Sequence, residues 1–229
     1  MRRPVNLPAM ARAVGVFAAI GTSASARAGQ VEGQIVLPAN FQPAVEESKS
    51  YWRVENGIVP VQRSIRDPRG VMVVVLEGAE NRPPPPAVHP AMVLREGGLW
   101  PEVLPVLVGT TVDFKNESTM VHALFARGAE GGSFKAQPLA PGAQRSQPFR
   151  TPGAHEIRCA EVAHIRAVVL TLATPLFSSV DLAGGFKIGG VAPGRYSLRV
   201  WYAGSYVHGQ PIDVPAEGPV SVAVHLLPR

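Results

Sequence analysis

Three side chains in this sequence could hold a metal together. Cys159 is the only cysteine among the 229 residues. His164 follows it by five positions, and His122 lies in a separate upstream segment. One thiolate and two imidazoles form a soft sulfur-and-nitrogen donor set, which suits copper in a trigonal site. The same residues also have a plain structural reading. A lone buried thiol packs as a small hydrophobe, His122 then bonds within its loop, and His164 is a surface residue. No disulfide can form within the chain, so Cys159 is a core thiol, a metal ligand or a link to another chain. A Cys–His pair can also be nucleophilic. No protease or transferase signature surrounds it, however, and no Ser/His/Asp set, HExxH, phosphate loop or paired carboxylates occur. No enzymatic activity is expected.

Strands must position these residues. Around residues 111–116, Val112 and Phe114 alternate with Asp113 and Lys115, the two-residue period of a half-buried strand. Asn116 and Ser118 break it, and His122 follows in or just after the turn. Pro152-Gly153 turns the chain into a second strand that ends at Cys159. Along that strand His155 shares a face with Cys159, which makes it a substitute ligand candidate. His89, beside Pro90, is a lesser candidate on residue type alone.

On these residues the chain resembles the cupredoxins, in particular the plastocyanin-like proteins of methylamine-utilisation type. Val112, Phe114 and Asn116 fit the family's V-x-F-x-N strand, and His122 its first ligand. Phe149, Pro152, Gly153 and Cys159 fit the F-x-x-P-G segment that leads to the ligand cysteine, and Leu99-Trp100-Pro101 stands where the family has F/W-x-P. The resemblance implies a Greek-key sandwich and one copper held by His122, Cys159 and His164. It also implies one-electron transfer or copper handling with a periplasmic redox or envelope partner. There are departures. In the Cys-x2-His-x2-Met register of that subfamily the ligand positions hold Val162 and Ile165. In the azurin-like Cys-x4-His register His164 is the second imidazole and the axial position falls on Val168. A weak axial ligand can be dispensed with; the strong ligands cannot. The alternatives are a rebuilt three-ligand copper site, or a metal-free β-sandwich that serves as scaffold or binding module for an envelope protein or glycan.

Composition fits an all-β chain. With 46% hydrophobic residues a core forms without disulfides, and 23 Gly with 23 Pro favour short strands and turns over long helices. No helical apolar period is sustained after residue 28. Residues 1–28 read as an export signal, with Arg2 and Arg3 at the start, an apolar run over 13–20 and an Ala26-Arg27-Ala28 cleavage site. The run is too short to span a bilayer, so the mature chain is expected to be exported to the periplasm without a transmembrane segment. Those residues hold four arginines and no acid, so without them the formal charge falls from +5 to +1. The basic balance therefore belongs to the leader and does not mark a nucleic-acid surface.

The expected organisation is a signal over 1–28, an N-terminal β segment over 29–90, a cupredoxin-like domain over 91–173 and a β module over 174–229. The N-terminal segment contributes strands at 30–37 and 71–76, the latter apolar throughout and so buried on both faces. The prolines at 83–86 make a stiff connection. Further strands are expected at 91–94 and 103–108 around a Gly97-Gly98 turn, and at 168–172. Residues 127–148 read as a long connection with one short strand at 133–136. In the last module Tyr196, Leu198, Val200 and Tyr202 face one way, and Ser197, Arg199 and Trp201 the other. His208 falls in a loop. Asp181, Gly185, Phe186, Ile188, Val191, Pro193, Gly194 and Trp201 make this stretch resemble the transthyretin-like carboxypeptidase-regulatory module, a non-catalytic small sandwich. The sequence leaves open which sandwich the N-terminal strands join.

Overall fold

The computed structural model describes residues 29–43, 67–78, 86–95, 98–128 and 131–228. The expected leader, the Tyr51-Trp52 pair and the first prolines of the 83–86 run lie outside the described residues. No helix among the described residues is long and apolar enough to cross a membrane.

The chain is all-β. Its strands in order are β1 (Gly29–Val36), β2 (Val73–Glu77), β3 (Ala91–Arg95), β4 (Gly98–Trp100), β5 (Val103–Leu107), β6 (Thr111–Asn116), β7 (His122–Gly128) and β8 (Gly131–Leu139). Then come β9 (Gln144–Pro148), β10 (Gly153–Cys159), β11 (Arg166–Leu172), β12 (Phe177–Ser179), β13 (Gly185–Val191), β14 (Gly194–Tyr202), β15 (Ser205–Val214) and β16 (Pro219–His225). They form four sheets. Two of these, β5-β11-β10-β7-β8 and β4-β3-β6-β9, enclose a core that includes Phe114, Phe149, Ile157 and Cys159. The chain crosses between them from β4 to β5, β5 to β6, β6 to β7, β8 to β9 and β9 to β10, a Greek-key path. The other two, β13-β1-β16 and β12-β2-β14-β15, enclose a second core around Val31, Phe186, Leu198 and Val224.

The N-terminal strands join the second sandwich. β1 lies between β13 and β16, antiparallel to one and parallel to the other, and β2 pairs with β12 and β14. The first sandwich is thus inserted between β2 and β12 of the second. Close packing fixes β1. A Cβ on Gly33 would stand 2.0 Å from the Val222 carbonyl oxygen and 2.8 Å from the Phe186 ring, so only glycine fits there.

The apolar run of β2 is explained by burial on both faces. Val74 and Leu76 enter the second core, while Val73 and Val75 join Leu170, Leu172 and Trp201 in a separate cluster. Because Leu170 and Leu172 belong to β11 of the first sandwich, that cluster is the layer between the two. The alternation along β14 matches expectation. Tyr196, Leu198, Val200 and Tyr202 line the second core, and Trp201 turns the other way into the layer between the sandwiches.

Three expectations are corrected. Residues 127–148 carry two strands, β8 and β9, rather than one short one. Their composition hides them, yet β8 finds a ladder partner in β7 and β9 in β6; Pro138 is tolerated because β8 is an edge strand. Gly98–Trp100, which lies outside the strands expected at 91–94 and 103–108, forms β4 and pairs with β3. His208 lies in β15, opposite Val200, not in a loop.

Candidate metal centre

His122 and Cys159 meet at one end of the first sandwich. β7 and β10 are antiparallel neighbours, with Cys159 opposite Leu124, and the Ala160 N–H extends the ladder to the Ala123 carbonyl. His122 lies two residues before Leu124 and so shares its face. It is therefore the diagonal neighbour of Cys159 on the core side, within side-chain reach. The His122 Nδ1 and the Cys159 Sγ are 3.5 Å apart. His122 is 5% exposed and Cys159 6%.

Asn116 builds the loop that carries His122. It ends β6 and is 1% exposed. Its amide nitrogen donates to the carbonyls of Met120 and Leu139, both at 2.8 Å. Its oxygen accepts from the Ser118 N–H at 3.0 Å and the Ser118 hydroxyl at 2.7 Å. Ser118 Oγ in turn lies 3.1 Å from His122 Nε2. The hydroxyl has one hydrogen, and it faces two groups that can only accept, Asn116 Oδ1 and the Met120 carbonyl. Toward His122 it therefore accepts, from Nε2–H. In the neutral ring that leaves Nδ1 with its lone pair facing the sulfur.

Glu161 is the participant that sequence reasoning missed. Its Oε2 accepts the Ala123 N–H at 2.7 Å and the Cys159 thiol at 3.1 Å. The signal was present in the Cys-x-Glu spacing. Only the bend after β10, which folds residue 161 back over the end of β7, makes it meaningful. Burial, and then the Glu161 carboxylate, push the Cys159 thiol above its ordinary pKa. The Ala123 N–H and then the thiol hold Glu161 below the usual carboxylate range.

The remaining candidates go elsewhere. His164 sits exposed in the turn before β11. Val162 is half-buried against the first core, and Ile165 lies within it at 3% exposure. His155 is buried with its Nε2 2.8 Å from the Thr151 carbonyl and its ring edge-on to Phe149 at 5.1 Å; it is a core residue. His89 pairs with Asp113, Nδ1 to Oδ1, at 3.2 Å on the outer side of β6. No three His, Cys, Asp or Glu side chains among the described residues are grouped to hold a metal ion. A trigonal blue-copper centre needs three strong donors, and only two converge, so the residues present do not fit that group.

An open groove of about 830 Å³ lies on the second sandwich, remote from this pair and flanked by Glu32, Gln34, Asp181, Lys187 and Ser221.

No protein-family model matches the chain, and no curated protein does. Solved structures do match. A purple cupredoxin from Nitrosopumilus maritimus is 19% identical at a TM-score of 0.34, over 36% of this chain and 99% of its own. A reduced Cu(I) form of an amicyanin variant at pH 4 is 18% identical at 0.34, over 43% and 98%. Another reduced amicyanin variant is 18% identical at 0.35, with the same shares. These neighbours are cupredoxins, and each aligns nearly whole on less than half of this chain.

Proposed function

We propose that this chain is an exported, periplasmic scaffold or binding protein of cupredoxin type that has given up blue-copper electron transfer. One observation carries this reading. The positions that resemble the family's second histidine and axial methionine are Val162 and Ile165, packed on or in the core, while His164 stands exposed in its turn. Two buried donors remain where three are required. The first sandwich keeps the packing of such a domain without its complete ligand set.

The second sandwich, built from β1, β2 and β12–β16, is on this reading a transthyretin-like module that presents a surface to an envelope protein or glycan. The open groove across β1, β13 and β16 supports a binding role, since it offers Glu32, Gln34, Asp181 and Lys187 as polar contacts on a rigid sheet. The reading is tested by comparing the protein with a Val162→His/Ile165→Met variant. After addition of copper(II), the native protein is expected to stay colourless. A visible thiolate-to-copper band in the variant alone would support loss of ligands on a retained backbone. A band in the native protein would overturn the reading.

A further inference from the structure

Each of the four sheets ends in two edge strands, and an unprotected edge is a template for further pairing. Seven of these edges carry a guard. β4 and β12 are only three residues long. Pro105 lies in β5, Lys135 and Pro138 in β8, Arg145 in β9, Lys187 in β13, and Pro211 with Asp213 in β15. Shortness, charge and proline are the usual devices against edge pairing. The remaining edge, β16, has none of them: after Pro219 it reads Val-Ser-Val-Ala-Val-His. One side of β16 is taken up by β1. The Leu226 N–H donates to the Val36 carbonyl at 3.1 Å, and the Val222 carbonyl lies against Gly33. By the two-residue period, Val220, Val222 and Val224 bond toward β1. The N–H and C=O groups of Ser221, Ala223 and His225 therefore point the other way, and no strand among the described residues pairs with them. The side chains of these three residues are exposed, whereas Val224 is buried and Val220 and Val222 are half-buried.

We propose that the free edge of β16 is the interface of a two-fold dimer, in which β16 pairs antiparallel with β16 of a second copy of this chain. The strand is complementary to itself about Ala223. Centred there, the pairing sets Ala223 opposite the partner's Ala223 and Ser221 opposite the partner's His225. These are the hydrogen-bonded pairs, and each exchanges both of its N–H···O=C bonds. On the core face the same register sets Val222 opposite the partner's Val224, and Val220 opposite the partner's Leu226, apolar against apolar. Leu227, 77% exposed, then meets the partner's Pro219. No like charges are opposed, since β16 contains no Asp, Glu, Lys or Arg. A shift of two residues toward Pro219 sets that residue, which has no N–H, opposite Ala223 and loses a bond. An unrelated strand partner would not require this internal complementarity. The dimer has one sheet running through both copies. Ser221 and Ala223 also line the open groove, so pairing sets the two grooves side by side on that sheet. Nothing in this pairing depends on the first sandwich.

Sedimentation equilibrium of the full chain over a range of concentrations reads the dimer. The expected mass rises from monomer to dimer with concentration, since a single strand pair is a small interface. Ala223→Pro removes an N–H that points away from β1, so the monomer keeps its own ladder. It should weaken dimerisation by more than about tenfold, because both central bonds are lost. Ala223→Lys should weaken it by up to about fivefold, the effect of like charges directly opposed, and Ala223→Glu should do the same. An equal mixture of the Lys and Glu variants should restore association, because only there do opposite charges meet at the two-fold axis. Thermal unfolding of each variant checks that it folds. A native protein that stays monomeric up to ~1 mM overturns the proposal. So does a dimer unchanged by Ala223→Pro, which would place the interface elsewhere. A mixture that associates no better than its components refutes the register about Ala223, and the proposal with it.

Discussion

Trp201→Ala probes the layer that joins the two sandwiches. Trp201 is 4% exposed and packs with Val73 and Val75 from its own sheet and Leu170 and Leu172 from the inserted sandwich. A buried tryptophan removes about 150–250 Å² from water. At roughly 25 cal/mol per Å² that is about 4–6 kcal/mol, from which the retained Ala is subtracted. Tryptophan-to-alanine changes in cores cost about 3–5 kcal/mol. That is a large part of a net stability of about 5–15 kcal/mol. Urea unfolding followed by far-UV circular dichroism measures it. With a slope of about 3 kcal/mol/M, the midpoint should fall by roughly 1–1.7 M. Limited proteolysis of the variant should then cut between the sandwiches, in the segments that connect β2 to β3 and β11 to β12. A loss below about 1 kcal/mol, typical of a surface change, would refute the claim that the two sheets share a core.

Two further outcomes are expected. Asn116→Ala removes the donor to the Leu139 and Met120 carbonyls and the acceptor of the Ser118 N–H and hydroxyl, so it should cost about 2–3 kcal/mol in thermal or urea unfolding. It should also broaden the His122 imidazole signal in NMR, since the loop that holds that ring loses its anchor. Asp113 accepts from the Ser146 hydroxyl at 2.6 Å and the Gln144 amide at 2.7 Å, and faces His89 at 3.2 Å. Chiefly through the Ser146 bond, its carboxyl is held below the usual range. Its stabilisation is therefore present above the unfolded carboxylate pKa of about 3.9 and is lost as pH falls through the lower folded value. Urea midpoints should place native protein above Asp113→Asn at about pH 6, and the gap should narrow as pH falls below the unfolded carboxylate value of about 3.9.

Much of this fold was legible because its strands obey simple periods. Val112 and Phe114 alternate into a core, the β2 run is apolar because both its faces are covered, and Trp201 falls opposite Tyr202 and Val200. Strands β8 and β9 were not legible. Their Gly, Gln and Pro content marks a connection, and only the partner ladders of β7 and β6 make them strands. The partner of β1 was equally hidden, because alternation says which residues face a core and not which core. His122 and Cys159, singled out by residue type and motif, lie 3.5 Å apart. His164 does not join them, because the turn before β11 sends residue 164 to solvent and Ile165 inward. Glu161 escaped notice because its role depends on a hydrogen bond to a backbone amide 38 residues away. Sequence spacing does not encode such a contact.

The central claim is that two strong donors stand where three are needed. Its most direct test is to add copper(II) to the native protein and measure visible absorption beside bound copper. The account predicts a colourless protein with no stoichiometric copper(II). An intense thiolate-to-copper band with one copper per chain would contradict it, and would require a third ligand, with His164 first in line, to turn inward beside His122 and Cys159.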